Sequence, residues 1–189
     1  ARLGILIRNR EAFERLSAIT TIVFDKTGTL TTGTFEVTDV VSIDTQVADQ
    51  ALVAYGAQSE SFGQHPLGQA IVNTGKATEH ALVQPRNFEA ESGRGIQALV
   101  DNRTVLVGSP RYIREQIGEL GTLENTISHL QQQGRTATVV AIDSMIAGVI
   151  GIADTVKVGS KEAIADLHAL GLEVVMITNL KDGLPATRS

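Results

Sequence analysis

Apolar positions along this chain follow two rhythms, unbroken runs of about five and repeats three or four apart, and their alternation predicts the elements. Residues 20–24 (TTIVF) are β-branched and aromatic, without polar alternation beyond the first positions. That pattern suits a strand buried on both faces of a parallel sheet. Residues 172–177 (LEVVMI) form a second such run. Before it, Ser160 is placed to cap a helix whose Ala163, Ile164, Leu167 and Leu170 follow helical spacing, with Gly171 as its stop. Upstream lie a short apolar run at 4–7 and a helical pattern over 11–19 carrying Phe13, Leu16 and Ile19. These outer pieces predict parts of one α/β sheet.

The middle of the chain has a different texture. Residues 35–42 read as a strand, 47–59 as a helix on Val47, Ala51, Leu52 and Tyr55, and 67–80 as a helix opened by Pro66. Two strands, 96–100 and 103–107, flank Asp101-Asn102, a hairpin signal. Helices over 110–117 and 122–133 precede Gly134 and a second hairpin, 136–153, turning at Asp143-Ser144. An antiparallel sheet with helices packed on it follows. It reads as an α+β domain inserted into the α/β one, with crossings near Thr32-Gly33 and Ala153-Asp154.

Composition narrows the function classes. The 189 residues, 42% hydrophobic and 20% charged, suit one large or two modest globular domains and exclude disordered or fibrous chains. A net charge of -5 leaves no basic face for a phosphate backbone, so nucleic acid is not expected as a partner. The absence of cysteine removes disulfides and thiolate metal sites and fits a reducing cytoplasm. The most apolar stretch, 138–153, is shorter than the ~20 residues of a membrane helix and carries Asp143 in its middle. The N-terminal segment has no cleavage-site pattern. A soluble polypeptide is expected.

Candidate chemistry gathers at Asp25, the last residue of the first buried run. Ligands of open α/β sheets bind beyond the carboxyl ends of the strands. A carboxylate there can attack phosphorus and become an acyl phosphate if a divalent cation and fixed positive charge offset the phosphoryl oxygens. Lys26, Thr27, Gly28 and Thr29 supply an ammonium, hydroxyls, backbone N–H groups and close backbone approach. An aspartate two residues after the nucleophile would activate water; Thr27 stands there instead, which favours a long-lived intermediate. An Asp-x-x-Gly sequence after a strand is also an ordinary turn.

The heptapeptide DKTGTLT, Asp25 to Thr31, resembles the phosphorylation motif of the P-type ATPases. Further segments are similar to the heavy-metal-transporting class (copper, zinc, cadmium). Residues 61–68, SFGQHPLG, are similar to its SEHPLG segment, with His65-Pro66 as the signature dipeptide. Glu60 falls where that class has an ATP-contacting glutamate. Gly93-Arg94-Gly95 resembles its glycine pair beside the triphosphate, and Asp154-Thr155-Val156-Lys157 the return into the phosphorylation domain. Two features depart from the pattern. Ser109 follows Leu106-Val107-Gly108 where the family usually has asparagine, and Asn179 and Leu180 follow Thr178 in place of the rest of Thr-Gly-Asp.

The resemblance implies a haloacid-dehalogenase-like, Rossmann-like phosphorylation domain in segments 1–32 and 154–178, incomplete here, with the nucleotide-binding domain, 33–153, inserted and 179–189 as a tail outside the family pattern. It implies ATP held by Glu60, His65, Gly93 and Gly95, and transfer of its γ-phosphate to Asp25. Mg²⁺ would sit on the Asp25 carboxylate and the Thr27 backbone carbonyl, with Thr178, Lys26 and Thr29 on phosphate oxygens. It further implies a place on the cytoplasmic face of a membrane, with the transmembrane and actuator domains of a transporter as partners and the transported metal bound elsewhere. The family's later lysine and Gly-Asp-Gly magnesium loop are not found in this sequence, so the expectation is ATP binding without appreciable turnover. The alternatives are a nucleotide-binding module without catalysis and a soluble phosphatase of the same superfamily.

Overall fold

The computed structural model describes residues 11, 15–43, 47–60, 65–77 and 84–177. Two compact units emerge: residues 1–33 with 156–189, and residues 34–155.

The larger unit is built on a six-stranded sheet ordered β2-β7-β6-β5-β4-β3: β2 Thr31–Ser42, β3 Arg86–Glu91, β4 Gly95–Val100, β5 Arg103–Gly108, β6 Thr136–Ile142 and β7 Met145–Val156. Neighbours from β3 to β7 run antiparallel. Both expected hairpins form. Asp101 and Asn102 (φ 50 and 62) and Asp143 and Ser144 (φ 50 and 65) turn them in the left-handed conformation that short polar side chains tolerate. The sequence reading overlooked β3, whose residues RNFEAE are mostly exposed at the sheet edge.

Strand alternation then divides the core in two. Val105, Val107, Val140 and Ile142 point to one face, where α1 (Asp49–Glu60) and α2 (Pro66–Lys76) bring Leu52, Ala57, Ala70 and Ile71. Leu106, Val139 and Ala141 point to the other, against Ile113 of α3 (Pro110–Ile117) and Leu123, Ile127 and Leu130 of α4 (Leu123–Gln132). A bulge between Val140 and Ala141 in the β6–β7 register lets Ala147 join the first cluster and Val149 the second. Each fully buried Leu or Ile here contributes about 1.5–3 kcal/mol relative to exposure.

The smaller unit contains β1 (Thr21–Asp25) and β8 (Glu173–Ile177), paired in parallel with Asp25 opposite Ile177, and α5 (Ser160–Ala169). Its two runs do form strands, yet they are not buried on both faces as the sequence suggested: Val23 is 54% and Ile177 53% exposed, whereas Val174 is buried. Two strands and one helix enclose too little space to cover both sheet faces. Ser160 does not cap α5 either. Gly159, at φ 88, holds the cap position, and the Ser160 hydroxyl donates instead to the Leu30 carbonyl at 2.8 Å. Of the helix expected over 11–19, residues 12–14 lie outside the described residues; residues 11 and 15 are helical, and Leu16–Ala18 form a single 3-10 turn.

Candidate functional site

Asp25 ends β1 with extended backbone (φ -71, ψ 134) and an exposed side chain. The chain then makes a wide turn over Lys26–Leu30. Thr27 is extended (φ -76, ψ 123), and Gly28 takes a left-handed conformation (φ 79, ψ -15) that a side chain would strain. Thr31, buried, closes the turn from within: its hydroxyl donates to the Lys26 carbonyl at 2.9 Å and accepts from the Gly28 N–H at 3.2 Å. The far end of the sequence clamps the same turn. The Lys157 N–H donates to the Leu30 carbonyl at 3.0 Å and its ammonium to the Gly28 carbonyl at 2.5 Å, beside the Ser160 bond to Leu30. The side chains of Asp25, Thr27 and Thr29 are left exposed on a loop whose backbone is tied down, and Lys26 is half-buried.

The donors on this loop are oxygens, the class that Mg²⁺ prefers. Lys157 occupies the Gly28 carbonyl; the Asp25 carboxylate and the Thr27 carbonyl, the pair the family resemblance implies, are oxygen donors of the class that suits the ion. No group of three or more His, Cys, Asp or Glu suited to a metal occurs among the described residues. Thr178 lies outside the described residues; Ile177 before it is the partner of Asp25 in the sheet.

The larger unit holds a cavity of about 500 Å³ lined by Glu60, His65, Gly93 and Gly95, four residues spread over three sequence segments. Glu60 ends α1 and lodges its carboxyl against α2 at Gly68, where a Cβ would stand 2.2 Å from Oε2. Burial there pushes its pKa up to about 7, because the charged form loses water. His65 is the N-cap of α2: its Nδ1 accepts from the Leu67 N–H at 3.3 Å. A neutral ring accepting at Nδ1 carries its proton on Nε2, which keeps a donor available.

Gly93 sits in the turn joining β3 to β4 at φ 72 with nothing near its missing Cβ, so its backbone conformation selects glycine. Gly95 is glycine for a different reason: a Cβ would meet the Tyr112 ring at 2.3 Å and the Val107 carbonyl oxygen at 2.7 Å. Arg94, between them, stacks its guanidinium 5.9 Å from the Tyr112 centroid and pairs with Glu91 at 2.7 Å and with Glu115. Its charge is thereby already matched by carboxylates.

The structure gives a place to several lining or positioning residues that the sequence reading names only as motif letters or as a departure, as with Ser109, or does not name as site residues, as with Thr136 and Thr138. Thr31 and Lys157 were legible only as letters of motifs, and their hydrogen bonds needed the fold. Ser109 lines the cavity and caps α3, accepting from the Tyr112 N–H at 3.2 Å; the Ser-Pro pair that opens the helix was its available signal. Thr136 and Thr138 line the cavity from β6 and interrupt an otherwise apolar strand, the one hint they gave.

Residues 19–185 match the family model of the haloacid dehalogenase-like hydrolases. The copper-exporting P-type ATPase B of Archaeoglobus fulgidus is 37% identical over 179 residues, a match covering 94% of this chain and 25% of that protein. A probable cadmium-transporting ATPase of Staphylococcus aureus is 38% identical over 188 residues, covering 97% and 23%. A zinc-transporting PIB-type ATPase, solved in its E2.Pi state, superposes with a TM-score of 0.76 at 32% identity over 93% of this chain and 28% of that one. The chain thus spans about a quarter of the length of the relatives it matches. No helix among the described residues is long and apolar enough to cross a membrane.

Proposed function

The chain belongs to the haloacid dehalogenase-like hydrolase family, and from that premise we propose that it is the ATP-binding and aspartyl-phosphorylation region of a P-type ATPase that moves a heavy-metal cation across a membrane. The observation that carries this reading is the convergence of Glu60, His65, Gly93 and Gly95 on one cavity of the larger unit; in the smaller unit, a loop with a tied backbone exposes Asp25 at the end of a parallel strand.

In this reading residues 33–153 form the nucleotide-binding domain, and 1–32 with 154–178 belong to the phosphorylation domain. The transmembrane and actuator domains of the transporter are its partners. Adenine gives its exocyclic amino hydrogens to Glu60, and the backbone about Gly93 and Gly95 admits the triphosphate closely. His65 donates from Nε2 to the nucleotide. An Asp25 carboxylate oxygen attacks the γ-phosphorus, the bond to the bridging oxygen breaks, and ADP leaves with its electron pair. Lys26, Thr29 and Thr178 steady the phosphoryl oxygens. Mg²⁺, when bound by the Asp25 carboxylate and the Thr27 carbonyl, supplies charge neutralisation for them. Thr27, a residue without a basic side chain, leaves the acyl phosphate without an adjacent general base, so hydrolysis waits on a later step.

Lys157 holds the Gly28 carbonyl and is committed to the loop backbone, and the family's later lysine is not found in this sequence. Since one missing preorganised stabiliser typically costs ~10² to 10³ in rate, the 189-residue chain is expected to bind ATP but not to turn it over appreciably. Calorimetric titration with a phosphate-release assay tests this. The expectation is a Kd on the order of 0.1 to 1 mM. His65→Ala should bind more weakly by about 1–2 kcal/mol, and phosphate release should stay at background. Equal affinity in His65→Ala would remove His65 from the site. Sustained phosphate release lost in Asp25→Asn would overturn the low-turnover expectation.

A further inference from the structure

Thr138 stands out on β6. Alternation along the strand sends Thr136, Thr138, Val140 and Ile142 to the face covered by α1 and α2, and Val140 and Ile142 there belong to the packed core. Thr138 is one step from that core, paired with Ile150, and only 8% exposed. It is one of few buried polar residues among the described residues, and no hydrogen bond to its hydroxyl is formed among them. The hydroxyl is not among the fully buried atoms left without a partner, so it keeps access to the cavity it lines. Valine has the same shape and a better strand propensity, so threonine is the less expected choice at a position packed on that core. What sets the position apart is that it lines the cavity that also holds Glu60, with Leu67, Ile71 and Ile96 supplying apolar wall.

We propose that the Thr138 hydroxyl is a purine-recognition group of this cavity, donating a hydrogen bond to a ring nitrogen of adenine while Glu60 receives the exocyclic amino group. This rests on the nucleotide-binding reading above. The chemistry is complementary. Adenine presents its amino donor flanked by the ring acceptors N1 and N7, and one cavity that offers both a carboxyl acceptor and a hydroxyl donor supplies the groups that edge requires. Guanine presents a carbonyl at the same place and offers Glu60 no amino hydrogen there.

The test is a ligand-and-mutant cycle on the full 189-residue chain, titrating ATP, 1-deaza-ATP and 7-deaza-ATP into wild type, Thr138→Val and Thr138→Ser by calorimetry or NMR. Thr138→Val is expected to weaken ATP binding by about 3- to 10-fold, the worth of one such hydrogen bond, without lowering the unfolding midpoint. Thr138→Ser, which keeps the hydroxyl, should stay within about twofold of wild type. The Val penalty should vanish with the deaza analogue that lacks the accepting nitrogen. Wild-type ATP affinity in Thr138→Val, or an equal penalty with all three nucleotides, overturns the inference and leaves the nucleotide site standing. A wild-type chain that binds no ATP removes the nucleotide reading itself, and the inference with it.

Discussion

Glu60 shows how one buried carboxyl links stability to recognition. Its pKa is raised from 4.5 to about 7 by burial against Gly68, so the folded chain holds this proton over a range where the unfolded chain has lost it. A group raised in this direction stabilises fully below the unfolded value, and that contribution fades as pH climbs from about 4.5 to 7. The full interval corresponds to about 3 kcal/mol, an upper bound because part of the carboxyl still reaches solvent. Glu60→Gln, which cannot ionise, should therefore gain on wild type as pH rises, by up to about 3 kcal/mol between pH 4.5 and 8. Urea unfolding at both pH values reads the gain. A constant difference between the two proteins across that range would mean that Glu60 ionises as freely in the fold as in water. The sequence named Glu60 through its distance from His65, but the notch at Gly68 that sets its protonation depends on how two helices cross, which no local pattern carries.

Among the elements, the loop from Asp25 to Thr31 and the paired glycines divide legible from illegible most clearly. DKTGTLT marked a turn at the end of β1, because a run of strand-forming residues ending in Asp and Gly is a local signal, and the structure forms that turn. The clamp of Lys157 and Ser160 on the loop joins residues more than a hundred positions apart, so it could be read only from the fold. β3 was missed for a related reason: an edge strand draws its order from backbone pairing with β4, and its polar side chains carry no alternation. The glycines yield a test. Gly95→Ala drives a methyl into Tyr112 and the backbone of β5, a steric conflict expected to cost about 1–3 kcal/mol. Gly93→Ala has open space and loses only the ease of positive φ, about 1–2 kcal/mol. Urea midpoints at unchanged slope check both. In a double-mutant cycle, the penalty of Gly95→Ala should be smaller in a Tyr112→Ala background than in the wild type; an undiminished penalty there would show that the ring is not what excludes a side chain at residue 95.

At the scale of the whole molecule, the apolar cores and the cavity belong to residues 34–155, and the exposed aspartate belongs to the other unit. The insertion was legible as a change of texture, from buried runs to hairpins with amphipathic helices. The sparse burial of the smaller unit was not, because TTIVF reads as a core strand whatever surrounds it, and burial is decided by how many layers pack on the sheet. The central claim is that this chain carries a nucleotide site built from Glu60, His65, Gly93 and Gly95. It is tested most directly by titrating the isotopically labelled chain with Mg-ATP and following amide shifts. Shifts concentrated at Glu60, His65 to Gly68, Ser92 to Gly95, Gly108 to Ser109 and Thr136 to Thr138, saturating with a Kd on the order of 0.1 to 1 mM, are the predicted result. An unchanged spectrum at about 10 mM nucleotide, about ten times the weakest Kd expected, or shifts centred on the separate hollow beside Arg86 and Asp101, would contradict it.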